Sequence, residues 1–226
     1  ELESYLGLFK AERAKEESFE SALRTAVTAL FVSPNFLFLK EEAGALDDHA
    51  LANRLSYFLS RTAPDVVSQE VVAKGGVKAN LRSEAERLMK DDRFNRFIAD
   101  FADSWLDLRE IDFTAPDKNL FPEFDPYLRD SLVPETRAFL KELFVGNHPV
   151  KAIVKSDFAM LNSRLARHYD LPPVEGPEIR KVTLPKESVR GGLLTQGSIL
   201  KVTANGTNTS PVVRGVWVLE RILGDP

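Results

Sequence analysis

No cysteine occurs in the chain, which excludes disulfides, thiolate metal sites, cysteine nucleophiles and covalent haem attachment through C-x-x-C-H within it. Histidine is scarce as well. The three present, His49, His148 and His168, lie far apart and show no zinc-ligand spacing, so no metal site is expected. No run approaches the roughly 20 apolar residues of a membrane helix. A basic surplus is also missing: 30 Lys+Arg against 34 Asp+Glu leave a formal charge of -4, which argues against nucleic acid as a partner. The opening ELESYLGLFK is neither a signal peptide nor an initiator end, so the chain is expected to be a piece of a longer one. G-x-S-x-G, a Walker loop and G-x-G-x-x-G are all absent, and Gly191-Gly192 lacks the preceding strand and third glycine of a dinucleotide site.

What is present is amphipathic helix. With 226 residues, 43% hydrophobic and 28% charged, the chain can bury one large core or two small ones. Apolar residues recur at three- and four-residue steps after Ser18, after Asp47-Asp48, and most strongly in Phe94, Phe97, Ile98, Phe101, Trp105 and Leu108 behind a cap at Asp91-Asp92. At that spacing an aromatic stripe reads as core. Residues 110–124 read as an irregular loop pinned by aromatics, and Asp125-Pro126 as the cap and first position of a helix that Pro134 should kink. Residues 171–177 cannot be helix and mark a candidate internal boundary. The alternation in Ile179–Leu184 suits one short strand. The fold class read from this is mainly α, a multi-helix bundle with irregular loops and at most one short strand or hairpin near 179–184.

The stretch from Arg190 to Glu220 differs from the rest in its glycines, small hydroxyl residues and two arginines. A helix is expected from Gly192 to about Val202, a loop over 203–209, and a last helix capped by Ser210 and ended by Gly224. The candidate ligand site is here. Arg190, Asn205, Thr207, Ser210 and Arg214 can offer donors and charge to an anionic or sugar ligand at a helix N-terminus. The plainer reading is that Ser210 caps and the Asn, Gly and Thr residues make turns. Glu135 and Glu142, two helical turns apart, are a candidate acid/base pair against the commoner reading of an exposed helix face; His148 and His168 are isolated candidate bases.

The ordered segments FVSPNFLFL, LDDHALANRLSYFLSRTAPD, RFIADFADSWLDL, FPEFDPYLRDSL, FAMLNSRLARHYDLPPVEG and RGGLLTQGSILKVTANGTNTSPVVRGVWVLERILGDP carry a resemblance along nearly the whole chain. It resembles planctomycete-type multi-domain proteins of unknown function associated with c-type cytochrome modules. The resemblance implies 1–39 as the end of a small helical domain, 40–175 as a central helical domain, and 176–226 as a C-terminal helical segment packed on it. It also implies export to the periplasm or cell surface, flanking cytochrome-type domains as partners, and haem c on those domains with none in this chain. The function it implies is support of redox or electron-transfer chemistry carried by its neighbours. The alternatives are an anion- or carbohydrate-binding module using 190–214, or a structural interaction domain. The resemblance carries no catalytic residue onto this sequence.

Overall fold

A computed structural model of the chain describes residues 2–39, 41 and 43–225. The expected domain bounds at residues 1, 40 and 226 lie outside the described residues. Among the described residues are eleven α-helices, short 3-10 turns and a single antiparallel strand pair, the mainly α class that the periodicity implies. The chain divides into two compact units, Glu1–Phe58 with Thr62–Ala85, and Leu59–Arg61 with Glu86–Pro226. No described helix is long and apolar enough to cross a membrane.

In the first unit α1 (Leu2–Ala14) packs on α2 (Phe19–Phe31) through an edge-on contact of Phe9 with Phe19, 5.4 Å between centroids. Ser18 caps α2 by accepting from the Ser21 amide. The apolar run after Ser33 becomes a single helical turn, α3 (Pro34–Leu37), because Ser33 caps it and Pro34 presets its first φ. In α4 (Asp48–Ser60) Leu59 is buried and Leu51 and Leu55 are partly covered, as the spacing of the large residues implies, but Phe58 departs from that face. Phe58 is 61% exposed, while little Ala52 packs on Val72 and Val77 with Leu51 only partly covered. Small side chains there let α5 (Val66–Ala73) and the following turn approach closely. Next comes α6 (Leu81–Met89).

The second unit is built around α7 (Phe94–Trp105) and α8 (Pro126–Val145). Phe94, Ile98 and Ala102 are buried on α7, and Phe144 of α8 lies edge-on to Phe94, Phe97 and Phe101 at 5.9–6.3 Å. The expected cap does not form. Arg93 holds the N-cap position in helical conformation, and Asp91 instead accepts from the Arg93 amide and guanidinium, both at 2.8 Å. Local ion pairing has taken the carboxylate that capping needed. In the 110–124 loop Phe113 is 84% exposed and pins nothing, whereas Phe124 packs against the core.

Asp125 caps α8 as its sequence implies, accepting from the Leu128 amide at 2.7 Å and from Arg164 Nε at 2.8 Å, and α8 continues through Pro134. These hydrogen bonds hold its carboxyl below the usual carboxylate range. Asp125→Ala is expected to cost about 1–2 kcal/mol in thermal unfolding, and Asp125→Asn, which keeps a capping oxygen, clearly less.

A strand β1 (Phe158–Leu161), not foreseen from its sequence, pairs antiparallel with β2 (Arg180–Thr183) in the register Phe158↔Thr183 to Leu161↔Arg180. Between them α9 (Ser163–His168) is capped by Asn162. The segment 171–177 lies inside this unit. Its Gly176 carbonyl accepts from the Ser163 amide at 3.0 Å and the Pro177 carbonyl from Asn162 Nδ2 at 3.2 Å. The helix expected from Gly192 to Val202 is broken into a 3-10 turn (Leu193–Thr195) and α10 (Gly197–Val202), with extended Gln196 between them. The chain turns out there because the Gly197 amide is drawn to the Tyr169 hydroxyl. Ser210 caps α11 (Pro211–Val218), which ends in a wide turn of π type, Leu219–Leu223.

Candidate functional site

One face of α8 buries polar side chains, and the segment after Arg190 supplies their partners. Tyr169 donates its hydroxyl proton to Glu135 Oε2 at 2.6 Å and accepts from the Gly197 amide at 2.7 Å. Thr136 Oγ1 donates to Gln196 Oε1 at 2.6 Å and lies 2.5 Å from Ser198 Oγ. The Arg190 guanidinium stacks on the Tyr169 ring at 4.4 Å and donates to the Thr195 carbonyl at 2.8 Å. Burial pushes the Glu135 carboxyl up to about 8, against the opposing pull of the Tyr169 hydrogen bond and Arg190, so at neutral pH it is a neutral acid. Burial, and then the nearby Glu135, also raise Tyr169 well above its ordinary value. Glu135 is 2% exposed, and the space beside it is about 10 Å³, room for one water at most. No substrate reaches this seam. Its chemistry is cohesion, a chain of satisfied hydrogen bonds tying α8, α9 and the 190–198 segment together.

Against the seam lies a cavity of about 330 Å³, in the size range of small-molecule sites. Leu132 of the core and Gly197 of the seam form part of its wall, with Phe121, Phe124, Leu128 and Leu200 completing an apolar interior. A larger depression of about 670 Å³ shares Glu123 and His168 with this cavity and is otherwise lined mainly by charged and polar side chains, and another of about 600 Å³ lies between His148 and Arg190. The loop 203–209 closes one side of the cavity. It is docked on residues 111–117 by Asp117 N donating to Gly206 O at 2.9 Å, Thr114 Oγ1 to Ala204 O at 3.3 Å, and Lys201 Nζ to the carbonyls of Ile111 and Thr114. Gly206 has φ +89°, and a Cβ there would stand 2.4 Å from the Ala115 carbonyl oxygen, so the docking needs glycine. Arg214, Thr209, Asn208 and His168 are the polar side of its lining. Burial, then Arg164 and Arg190, hold His168 below its ordinary pKa.

The five residues singled out in the sequence do not gather around one cavity. Arg190 lies on Tyr169, beside the seam. Asn205 Oδ1 accepts from the amides of Thr207 and Asn208 and from the Thr207 hydroxyl, a self-contained turn. Ser210 caps α11 by accepting from the Val213 amide. Of the five, Arg214 alone lines the apolar cavity, and Asn208 and Thr209 of the same loop join it there. Glu135 and Glu142 serve separate networks. Burial pushes Glu142 up, but hydrogen bonds from Lys181 at 2.7 Å and with His148 at 3.1 Å outweigh it and leave the carboxyl lowered. Tyr169, the hub of the seam, gave no signal of its own in the sequence, because its role depends on a partner 34 positions away.

Among the described residues no group of three or more His, Cys, Asp or Glu side chains is gathered in ion-binding geometry. With no cysteine, the residues of this chain do not fit the thioether attachment of a c-type haem. No curated protein and no solved structure matches the chain. The family described as PSD4, Protein of unknown function (DUF1592), matches residues 46–171, more than half of the chain. The chain belongs to that family. The region before the DUF1592 match fits PSD5, Protein of unknown function (DUF1595), over 1–41, and the region after it fits PSCyt3, Protein of unknown function (DUF1588), over 190–226. These are planctomycete-type domains of unknown function associated with cytochrome c modules. Glu135, Thr136 and Tyr169 lie in the DUF1592 match, and Arg190, Gln196, Gly197 and Ser198 in the DUF1588 match, so the seam joins two family regions into one unit.

Proposed function

We propose that this chain is a helical positioning module of an exported, haem-c-associated protein, supporting redox or electron-transfer chemistry carried on flanking domains. The observation behind this reading is the pairing of the DUF1592 region with the region whose family name, PSCyt3, carries the cytochrome context. A polar seam of sealed hydrogen bonds fixes one against the other, which suits a part that holds its neighbours in place. On this reading haem c resides on neighbouring domains, the location is periplasmic or cell-surface, and the protein partners are cytochrome-type domains.

The test uses the full-length natural protein. After reduction with dithionite and mixing with ferricyanide, the intramolecular phase of haem reoxidation is expected to slow when the module is loosened by Gly192→Ala, while Gly215→Ala leaves it unchanged. Identical kinetics in a protein whose second unit is unfolded at the assay temperature would remove the positioning role.

A further inference from the structure

We infer that the cavity beneath the 203–209 loop is a binding site for a small molecule with an apolar body and one carboxylate group, a role separate from the haem reading and independent of it. The interior argues for the body of that ligand. Phe121, Phe124, Leu128, Leu132 and Leu200 line an open-sided cavity of about 330 Å³, and apolar surface of this kind facing water is stabilised when an apolar body covers it.

Arg214 argues for the carboxylate. Arg137, Arg164 and Arg221 of the same unit each meet an aspartate, at 2.6, 2.8 and 2.8 Å. Half-buried Arg214 meets only hydroxyls: its Nε donates to Thr203 Oγ1 at 3.2 Å and one Nη to Thr209 Oγ1 at 2.8 Å. Those two bonds fix the guanidinium plane in the cavity lining and leave the edge between its two Nη atoms for a planar, two-oxygen acceptor, the geometry a carboxylate provides. The Lys201 ammonium is spent on the carbonyls of Ile111 and Thr114, which leaves Arg214 as the cation with free N–H groups in the lining; Glu123, also in the lining, pulls the His168 pKa up against burial and two arginines. The loop is held for this purpose by Gly206, which no other residue replaces without moving the Ala115 backbone.

The probe is 3-phenylpropanoate, titrated into this chain by calorimetry beside its neutral amide. The acid is expected to bind at least about tenfold more tightly than the amide, because its pair with the guanidinium is charge-assisted and bidentate. Raising the salt concentration should weaken the acid and not the amide. Arg214→Gln should bring the acid to the level of the amide, and Leu200→Trp, which fills the cavity, should abolish both without lowering the melting temperature. Equal affinity of acid and amide, indifference to Arg214→Gln, or no binding of the acid at millimolar concentration would each overturn the assignment. The readout involves no haem, so its failure is distinguishable from failure of the positioning role.

Discussion

Gly192→Ala is expected to destabilise the second unit by about 3–5 kcal/mol. Gly192 sits at φ +87°, where an L side chain is strained, and its amide donates to Ser156 Oγ at 3.2 Å. A Cβ built there would lie 2.2 Å from the Val154 carbonyl oxygen and 2.5 Å from its carbon. Backbone atoms cannot rotate away as a side-chain tip can, so the 190–196 segment would have to lift off the 153–156 turn. With it would go the stacking of Arg190 on the Tyr169 ring and the hydrogen bond that Gln196 accepts from Thr136. Gly215 is the control: it lies in α11 with nothing within 4 Å of its built Cβ, and Gly215→Ala should be neutral or stabilise by about 0.5–1 kcal/mol. Both tryptophans, Trp105 and Trp217, belong to the second unit, so tryptophan fluorescence in a urea titration follows that unit alone. Equal midpoints for the two variants would contradict the packing described.

The second large effect is on pH dependence. Glu135 has a folded-state pKa of about 8 against an ordinary value of 4.5, so between those limits the native state holds a proton that the unfolded chain has released. Stability from this group is therefore full below pH 4.5 and is lost as pH rises through 8. The span corresponds to about 4–5 kcal/mol. Glu135→Gln keeps an oxygen to accept from Tyr169 and carries no proton to lose, so it should flatten this slope and be the more stable chain at pH 8.5. His168 works in the opposite direction: held low by burial, it favours the native state less as pH falls below 6.5. Comparing the two chains at each pH cancels that contribution. Parallel profiles for wild type and Glu135→Gln would show that the carboxyl is ionised in the folded protein.

Local signals were the legible part of the fold. Ser18, Asp125 and Ser210 each cap the helix their position implies, because a cap is settled within three residues. Asp91-Asp92 looked equally good and failed, since an arginine two positions on offered the carboxylate a better partner. Strand β1 was invisible because it exists only through pairing with β2, across an intervening helix. The same physical reason governs the site. Arg214 stands out by chemical type, and the turn made by Asn205 is the plainer of the readings its sequence allows. The seam is not among those readings, for it depends on Glu135, Tyr169 and Gly197 meeting across 34 and 28 positions. A carboxylate on an amphipathic helix reads as solvated until the opposing surface is known.

The most direct test of the account is covalent haem on the full-length natural protein. Haem staining after denaturing electrophoresis, with the pyridine haemochrome spectrum of material from an extracytoplasmic fraction, is expected to show haem c that stays with the polypeptide containing this chain. A full-length protein with no covalent haem, carrying no C-x-x-C-H segment on either side of this region, would contradict it.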